Sequence, residues 1–169
     1  PTSNEPLLGH KGAFWLKAQA NGVTAHGSMP HLGDNAIYKL ARAALALEDF
    51  AFDTPAHPLM GAATLNVGTA RGGININSVP DAAELTIDIR TVADQDHAHI
   101  YRCLCNKLGS HIQLSTLLDV GSVYTAPTDA WIQDVFAVCA QHLGVKPVEK
   151  TVSYFTDAAA LKAPLGAPP

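Results

Sequence analysis

The sequence has no Cys-x-x-Cys, no His-Glu-x-x-His, no His-x-Asp and no Glu-Glu pair. The short signatures of a redox dithiol or a self-contained zinc site are therefore missing. Three cysteines, Cys103, Cys105 and Cys139, are too few for a disulfide framework and read as reduced thiols of a cytoplasmic protein. Charged residues make up only 15% of the chain and the net charge is −4, which removes the electrostatic case for a nucleic acid or an anionic membrane as partner. No apolar run approaches the roughly 18 residues of a membrane span, and no charged-then-apolar leader opens the chain. Phosphate loops are absent too. Gly72-Gly73 leads from one strand pattern into another, so no helix N-terminus follows it to meet an anion. Ser28 lies close to His26 and His31, but no Gly-x-Ser-x-Gly elbow surrounds it.

What is present is a globular composition, 47% hydrophobic over 169 residues, enough for one domain with something over. The chain starts at Pro1 without methionine and ends in Ala167-Pro168-Pro169, which suggests an excerpt. Residues 12–25 alternate, with Phe14, Leu16 and Ala18 opposite Lys17 and Gln19, and predict a half-buried strand. A Gly- and Pro-containing loop follows, then Asp34 as N-cap of a helix to about residue 50, with Ile37, Leu40, Ala41, Ala44, Leu45 and Leu47 on its apolar face. Residues 62–70 and 82–91 alternate again, and Asp94 caps a second helix stopped by Gly109. Residues 111–119 supply a fourth strand. This order predicts a ferredoxin-like βαββαβ domain of the α+β class over 11–120: a four-stranded antiparallel sheet with two helices on one face. The other sheet face is left open unless something packs on it. Beyond residue 120 the pattern restarts with a helix over 130–142, a short strand at 148–155 and the opening of a further helix, pieces of a neighbouring domain.

The eight histidines offer no converging ligand set. His97 and His99, two apart on a helix, read as solvent-facing, and His10, His57, His111 and His142 as isolated surface or core-rim residues. His26 differs. It sits at a strand end in a Gly-Ser-Pro loop before a capped helix, held yet reachable, and the residues alone leave open a plain turn histidine. Asn77 is likewise open between a turn amide bonding its own backbone and a side chain aimed at a ligand. Arg90 is open between a carboxylate fork and an ion pair with Asp88 or Glu84.

Three segments, GVTAHGSMPHLGDNAI at 22–37, GGININSVPDAAELTIDIR at 72–90 and YFTDAAAL at 154–161, together resemble the dimerisation (lid) domain of the M20 zinc-dependent amidohydrolases and peptidases. That family includes acetylornithine deacetylases, succinyl-diaminopimelate desuccinylases, aminoacylases and carboxypeptidase G-type enzymes. The resemblance implies residues 1–10 as a hinge, with Pro1-Thr2 matching the end of the family's Gly-Glu-Pro-Thr, residues 11–120 as the lid, and residues 121–169 as part of an α/β catalytic domain. It implies a parent enzyme that hydrolyses the amide bond of an N-acyl amino acid with two zinc ions, whose ligands lie outside this chain, so that the chain alone binds no metal and is inactive. His26 matches the lid histidine that reaches the partner subunit's active site as oxyanion stabiliser. Asn77, Arg90, Thr156 and Asp157 match substrate-binding positions. Phe155 stands where many relatives have Gly, as in the deacetylase-like branch. The implied assembly is a homodimer through the lid, with the 37–47 helix surface and the 63–67 edge as candidate contacts. The competing readings are a dimerisation module without catalysis and an unrelated ferredoxin-like small-molecule-binding domain.

Overall fold

The computed structural model describes residue 2 and residues 5–165, the last four by backbone alone. Pro1 of the Pro1-Thr2 match and the terminal Ala167-Pro168-Pro169 lie outside the described residues. The elements run β1 (Gly9–His10), β2 (Ala13–Asn21), α1 (Ala36–Glu48), β3 (Thr64–Gly72), β4 (Ala82–Arg90), α2 (His97–Leu108), β5 (Ile112–Val120), β6 (Val123–Tyr124), α3 (Ala130–Leu143) and α4 (Ala158–Leu165). The βαββαβ expectation is met: β2 to β5 form one sheet in the order β3-β4-β2-β5, every neighbouring pair antiparallel.

Alternation decides which face is dry. Phe14, Leu16, Ala18 and Ala20 of β2 and Leu85, Ile87 and Ile89 of β4 form one core with Leu40 and Leu47 of α1 and Ile100 and Leu104 of α2. Both helices thus lie on the same face, because side chains two apart on a strand share a side. Trp15, Lys17 and Gln19, with Asp88, Thr86 and Glu84 paired alongside them and Arg90 two residues beyond Asp88, occupy the open face.

Both helix-cap expectations are corrected. The cap of α1 is Asn35, whose side chain accepts the Ile37 and Tyr38 backbone N–H groups at 2.9 and 3.2 Å. Asp34 instead makes a backbone bridge to Val23 and an ion pair with Lys39. The cap of α2 is Asp96, accepting from Ala98 and His99, while Asp94 takes a left-handed backbone (φ 66°). In each case two carboxylate- or amide-bearing residues lie near the helix start, and only the one directly before the first helical residue can reach the free N–H groups. Asn35→Ala is therefore expected to cost about 1 kcal/mol of unfolding free energy by urea titration. Asp34→Ala, which removes a half-exposed carboxylate from one ion pair and no helix cap, should cost less; the reverse ranking would refute the cap assignment.

The helix face is also narrower than expected. Ala36, Leu40, Ala43 and Leu47 are the buried positions of α1, whereas Ile37 and Leu45 are exposed. Leu45 borders a groove of about 380 Å³ between α1 and the exposed edge strand β3, with Leu65 and Val67 on its far side.

The region after residue 120 is tied to the chain's first segment. β6 pairs antiparallel with β1, and Leu8 is packed with Ile132 and Phe136 of α3 in a second small core. The strand expected at 148–155 is reduced to a parallel bridge between Val152 and His10, since the two-residue β1 offers no longer ladder to pair with.

Two histidine readings also fail. His97 is not solvent-facing: its side chain is about 10% exposed, stacked on Phe14, with Nδ1 2.6 Å from Asp119 and Nε2 2.8 Å from the Thr91 hydroxyl. His10 is fully buried, its Nδ1 on the Lys11 carbonyl. His99 remains on the surface, where its hydrogen bond holds the Asp53 carboxyl below the usual carboxylate range.

Candidate functional site

The loop between β2 and α1 is pinched at its neck. Val23 and Asp34 exchange both backbone hydrogen bonds, at 2.9 and 2.8 Å. Gly22 permits this closure, because a Cβ there would stand 1.9 Å from the Asp34 carbonyl oxygen. Beyond the neck the loop lies against the segment that leads into β4. Val79 N–H donates to the Ala25 carbonyl at 2.8 Å, Gly27 N–H donates to the Asn77 carbonyl at 2.7 Å, and His26 and Ser78 form a bridge. The two segments that carry His26 and Asn77 are thus zipped together backbone to backbone, with both side chains exposed.

The imidazole of His26 is fixed locally. Ser28 N–H donates to Nδ1 at 3.3 Å, and the Ser28 hydroxyl lies 2.8 Å from the same nitrogen. A ring nitrogen that accepts a backbone N–H carries a lone pair, so the proton of the neutral ring resides on Nε2. Nε2 is thereby an N–H donor on an exposed ring. Ser28, dismissed above as a nucleophile, is the residue that sets this tautomer; the His-Gly-Ser spacing was the available signal. Around the pair, Met29, Leu32, Ile74 and Ile76 are exposed.

Arg90 lies at the opposite end of β4. The strand's length, eight steps of about 3.4 Å, puts about 27 Å between it and the His26–Asn77 end. Its guanidinium is paired with Asp88 (Nε to Oδ1 2.9 Å; Nη2 to Oδ2 3.1 Å), one of the two partners left open from sequence. The other, Glu84, is taken by Lys17. Phe155 comes to this end, its ring 6.0 Å from the Arg90 guanidinium carbon and edge-on to Trp15 at 6.3 Å. Thr156 and Asp157 follow directly and form the N-terminus of α4: the Thr156 hydroxyl accepts the Ala158 N–H and the Asp157 carbonyl accepts from Ala160 and Leu161. The five residues singled out from sequence therefore fall into two groups, His26 with Asn77 and Arg90 with Thr156 and Asp157. Among the described residues, no group of three or more His, Cys, Asp or Glu side chains is placed to hold a metal ion, and no helix is long and apolar enough to cross a membrane.

The sheet order, the helices on one face and the paired loops at one end define a ferredoxin-like domain. The family profile described as "Peptidase dimerisation domain", of the M20 peptidases, matches residues 8–110. The chain belongs to this family, its residues 8–110 forming the dimerisation domain. It is 36% identical over 94 residues to a peptidase M20 domain-containing protein of Schizosaccharomyces pombe, an alignment covering 56% of this chain and 23% of that protein. It is 37% identical over 100 residues to a probable carboxypeptidase of Aspergillus flavus, covering 55% and 24%. The chain thus spans about a quarter of the length of these relatives. Among solved structures, aminopeptidase PepT of Bacillus cereus superposes with a TM-score of 0.69 at 19% identity, covering 93% of this chain and 43% of that one. An amidase of the hydantoinase/carbamoylase family from Burkholderia multivorans gives 0.66 at 19%, covering 92% and 38%.

Proposed function

We propose that this chain is the lid of a cytoplasmic, homodimeric metallohydrolase that cleaves the amide bond of N-acyl amino acids. Residues 1–10 are its hinge, 11–120 the lid and 121–169 part of the catalytic domain. The observation that carries the reading is the His26 imidazole, held through Nδ1 by Ser28 with Nε2–H as a donor, on the segment zipped to Asn77 and away from Arg90, Thr156 and Asp157 of the same chain. When an amide carbonyl is attacked, negative charge grows on its oxygen, and a donor already in place stabilises that charge without reorganisation. His26 and Asn77 supply such donors. Arg90, with three of its five N–H groups unclaimed by Asp88, binds the substrate carboxylate, and Thr156 and Asp157 line the pocket beside it. A single chain keeps these groups at opposite ends of β4, which is about 27 Å long, so they act together across a dimer, the His26 loop of one subunit serving the Arg90 end of its partner. The groove between α1 and edge strand β3 is the proposed dimer contact, with Tyr38 and Leu45 as exposed apolar positions beside it.

This chain's described residues do not fit a zinc site, so no step is assigned to a metal held here; two zinc ions bound elsewhere in the enzyme would supply Lewis-acid chemistry. The full-length protein is expected to release amino acid from N-acyl amino acids, to lose that activity on chelation and to recover it with zinc. No release from a panel of acetyl, succinyl and longer N-acyl amino acids under metal-replete conditions would overturn the reading and leave a dimerisation module without catalysis.

A further inference from the structure

Four side chains on the open sheet face form a closed ring of contacts. Trp15 and Asp88 are direct cross-strand partners on β2 and β4, and the indole Nε1–H donates to Asp88 Oδ1 at 2.8 Å. Arg90, two residues along β4 on the same face, donates to the same carboxylate. Phe155 closes the ring, edge-on to Trp15 and under the Arg90 guanidinium. Asp88 thus accepts from two donors at once, and the planar guanidinium is held along its Nε–Nη2 edge by the carboxylate, with the Phe155 ring 6.0 Å from its carbon. An arginine side chain free in solution samples many rotamers. One held along an edge and flanked by a ring presents its remaining N–H groups in one direction, ready for a carboxylate. Phe155 belongs to the segment just before α4, so the ring also joins the sheet to the residues that carry Thr156 and Asp157.

We propose that Trp15 and Asp88 are positioning residues, which together with Phe155 orient Arg90 for the free carboxylate of the substrate. The inference rests on the reading of Arg90 given above, and the test separates the two. In the full-length enzyme, KM and kcat are measured for an N-acyl amino acid and for the matching carboxamide, in the wild type and in Arg90→Ala, Asp88→Ala, Asp88→Asn and Trp15→Phe. Asp88→Ala is expected to raise KM for the carboxylate substrate about tenfold, with kcat and the carboxamide kinetics nearly unchanged. Asp88→Asn, which keeps one carbonyl acceptor, and Trp15→Phe, which loses the indole N–H and keeps an aromatic ring, should give smaller rises of the same kind. If Arg90→Ala abolishes discrimination between the two substrates while none of the other variants changes it, the positioning role is wrong and the Arg90 reading stands. If Arg90→Ala leaves discrimination intact, the Arg90 reading fails and the positioning role fails with it. A loss by Asp88→Ala that is equal for both substrates marks general structural damage and also overturns the proposal. Should Asp88→Ala not fold, as judged by circular dichroism, the Asp88→Asn and Trp15→Phe results decide.

Discussion

His26→Ala in the full-length protein is expected to lower turnover about 100- to 1,000-fold, the usual consequence of removing one preorganised donor to a developing oxyanion. Metal content and dimerisation should be unchanged, because the ring lies on the surface and, among the described residues, its hydrogen bonds run to Ser28 in its own loop. The backbone zip to the Asn77 segment does not involve the ring, so the loop should persist in the variant. Action across the dimer makes a sharper demand. Mixing His26→Ala subunits with subunits dead in the catalytic base should restore part of the activity, since one of the two sites in each heterodimer then has both an intact base and an intact donor. Steady-state kinetics on subunits mixed under exchange conditions measures this. Unchanged turnover in the single variant would reject the oxyanion role, and absence of complementation would reject the arrangement in trans.

Leu85→Ala is expected to destabilise the chain by about 2–5 kcal/mol, a large share of the roughly 5–15 kcal/mol that holds a domain folded. Leu85 is fully buried on β4, an interior strand of the sheet, where it stands between Ala18 of β2 and Ala70 of β3. Small residues on both sides cannot swell to fill the space a missing isobutyl group leaves, so the loss combines transfer free energy with an unrelieved cavity. Urea unfolding followed by circular dichroism reads the change. Leu45→Ala supplies the contrast. Leu45 is equally apolar, but 62% exposed, so under conditions where the chain is monomeric its loss should change stability by no more than about 0.5 kcal/mol. Similar effects at the two positions would mean that the buried face has been misassigned.

The elements of the lid were legible because their signals are local. Alternation along β2 and β4 named the buried face correctly at Phe14, Leu16, Leu85 and Ile87, and the four-strand, two-helix order specified the topology, since short connections leave few ways to close such a sheet. The local signals misled where two candidates stood side by side. Asp34 and Asn35 both suit a cap, and the choice fell to whichever residue the pinched neck left free. Ile37 and Leu45 satisfy helical spacing, yet both are exposed, Leu45 beside an open groove along edge strand β3. His97 resembled a surface residue on helical spacing alone, because nothing in its neighbourhood in the chain announces Phe14 or Asp119.

By itself the sequence determined the fold class, the family resemblance and the identity of the residues on which the functional reading turns: His26, Asn77, Arg90, Thr156 and Asp157. Only the tertiary structure decided how they are grouped. The zip between Ala25–Gly27 and Asn77–Val79, the split between the His26 end and the Arg90 end, and the Trp15–Asp88–Arg90–Phe155 ring all depend on strand register and on contacts between segments distant in the chain. Periodicity reports which face a side chain takes, because that is a property of one strand. It carries no information on which residue of the next strand stands opposite, because that is settled by the packing of the whole sheet.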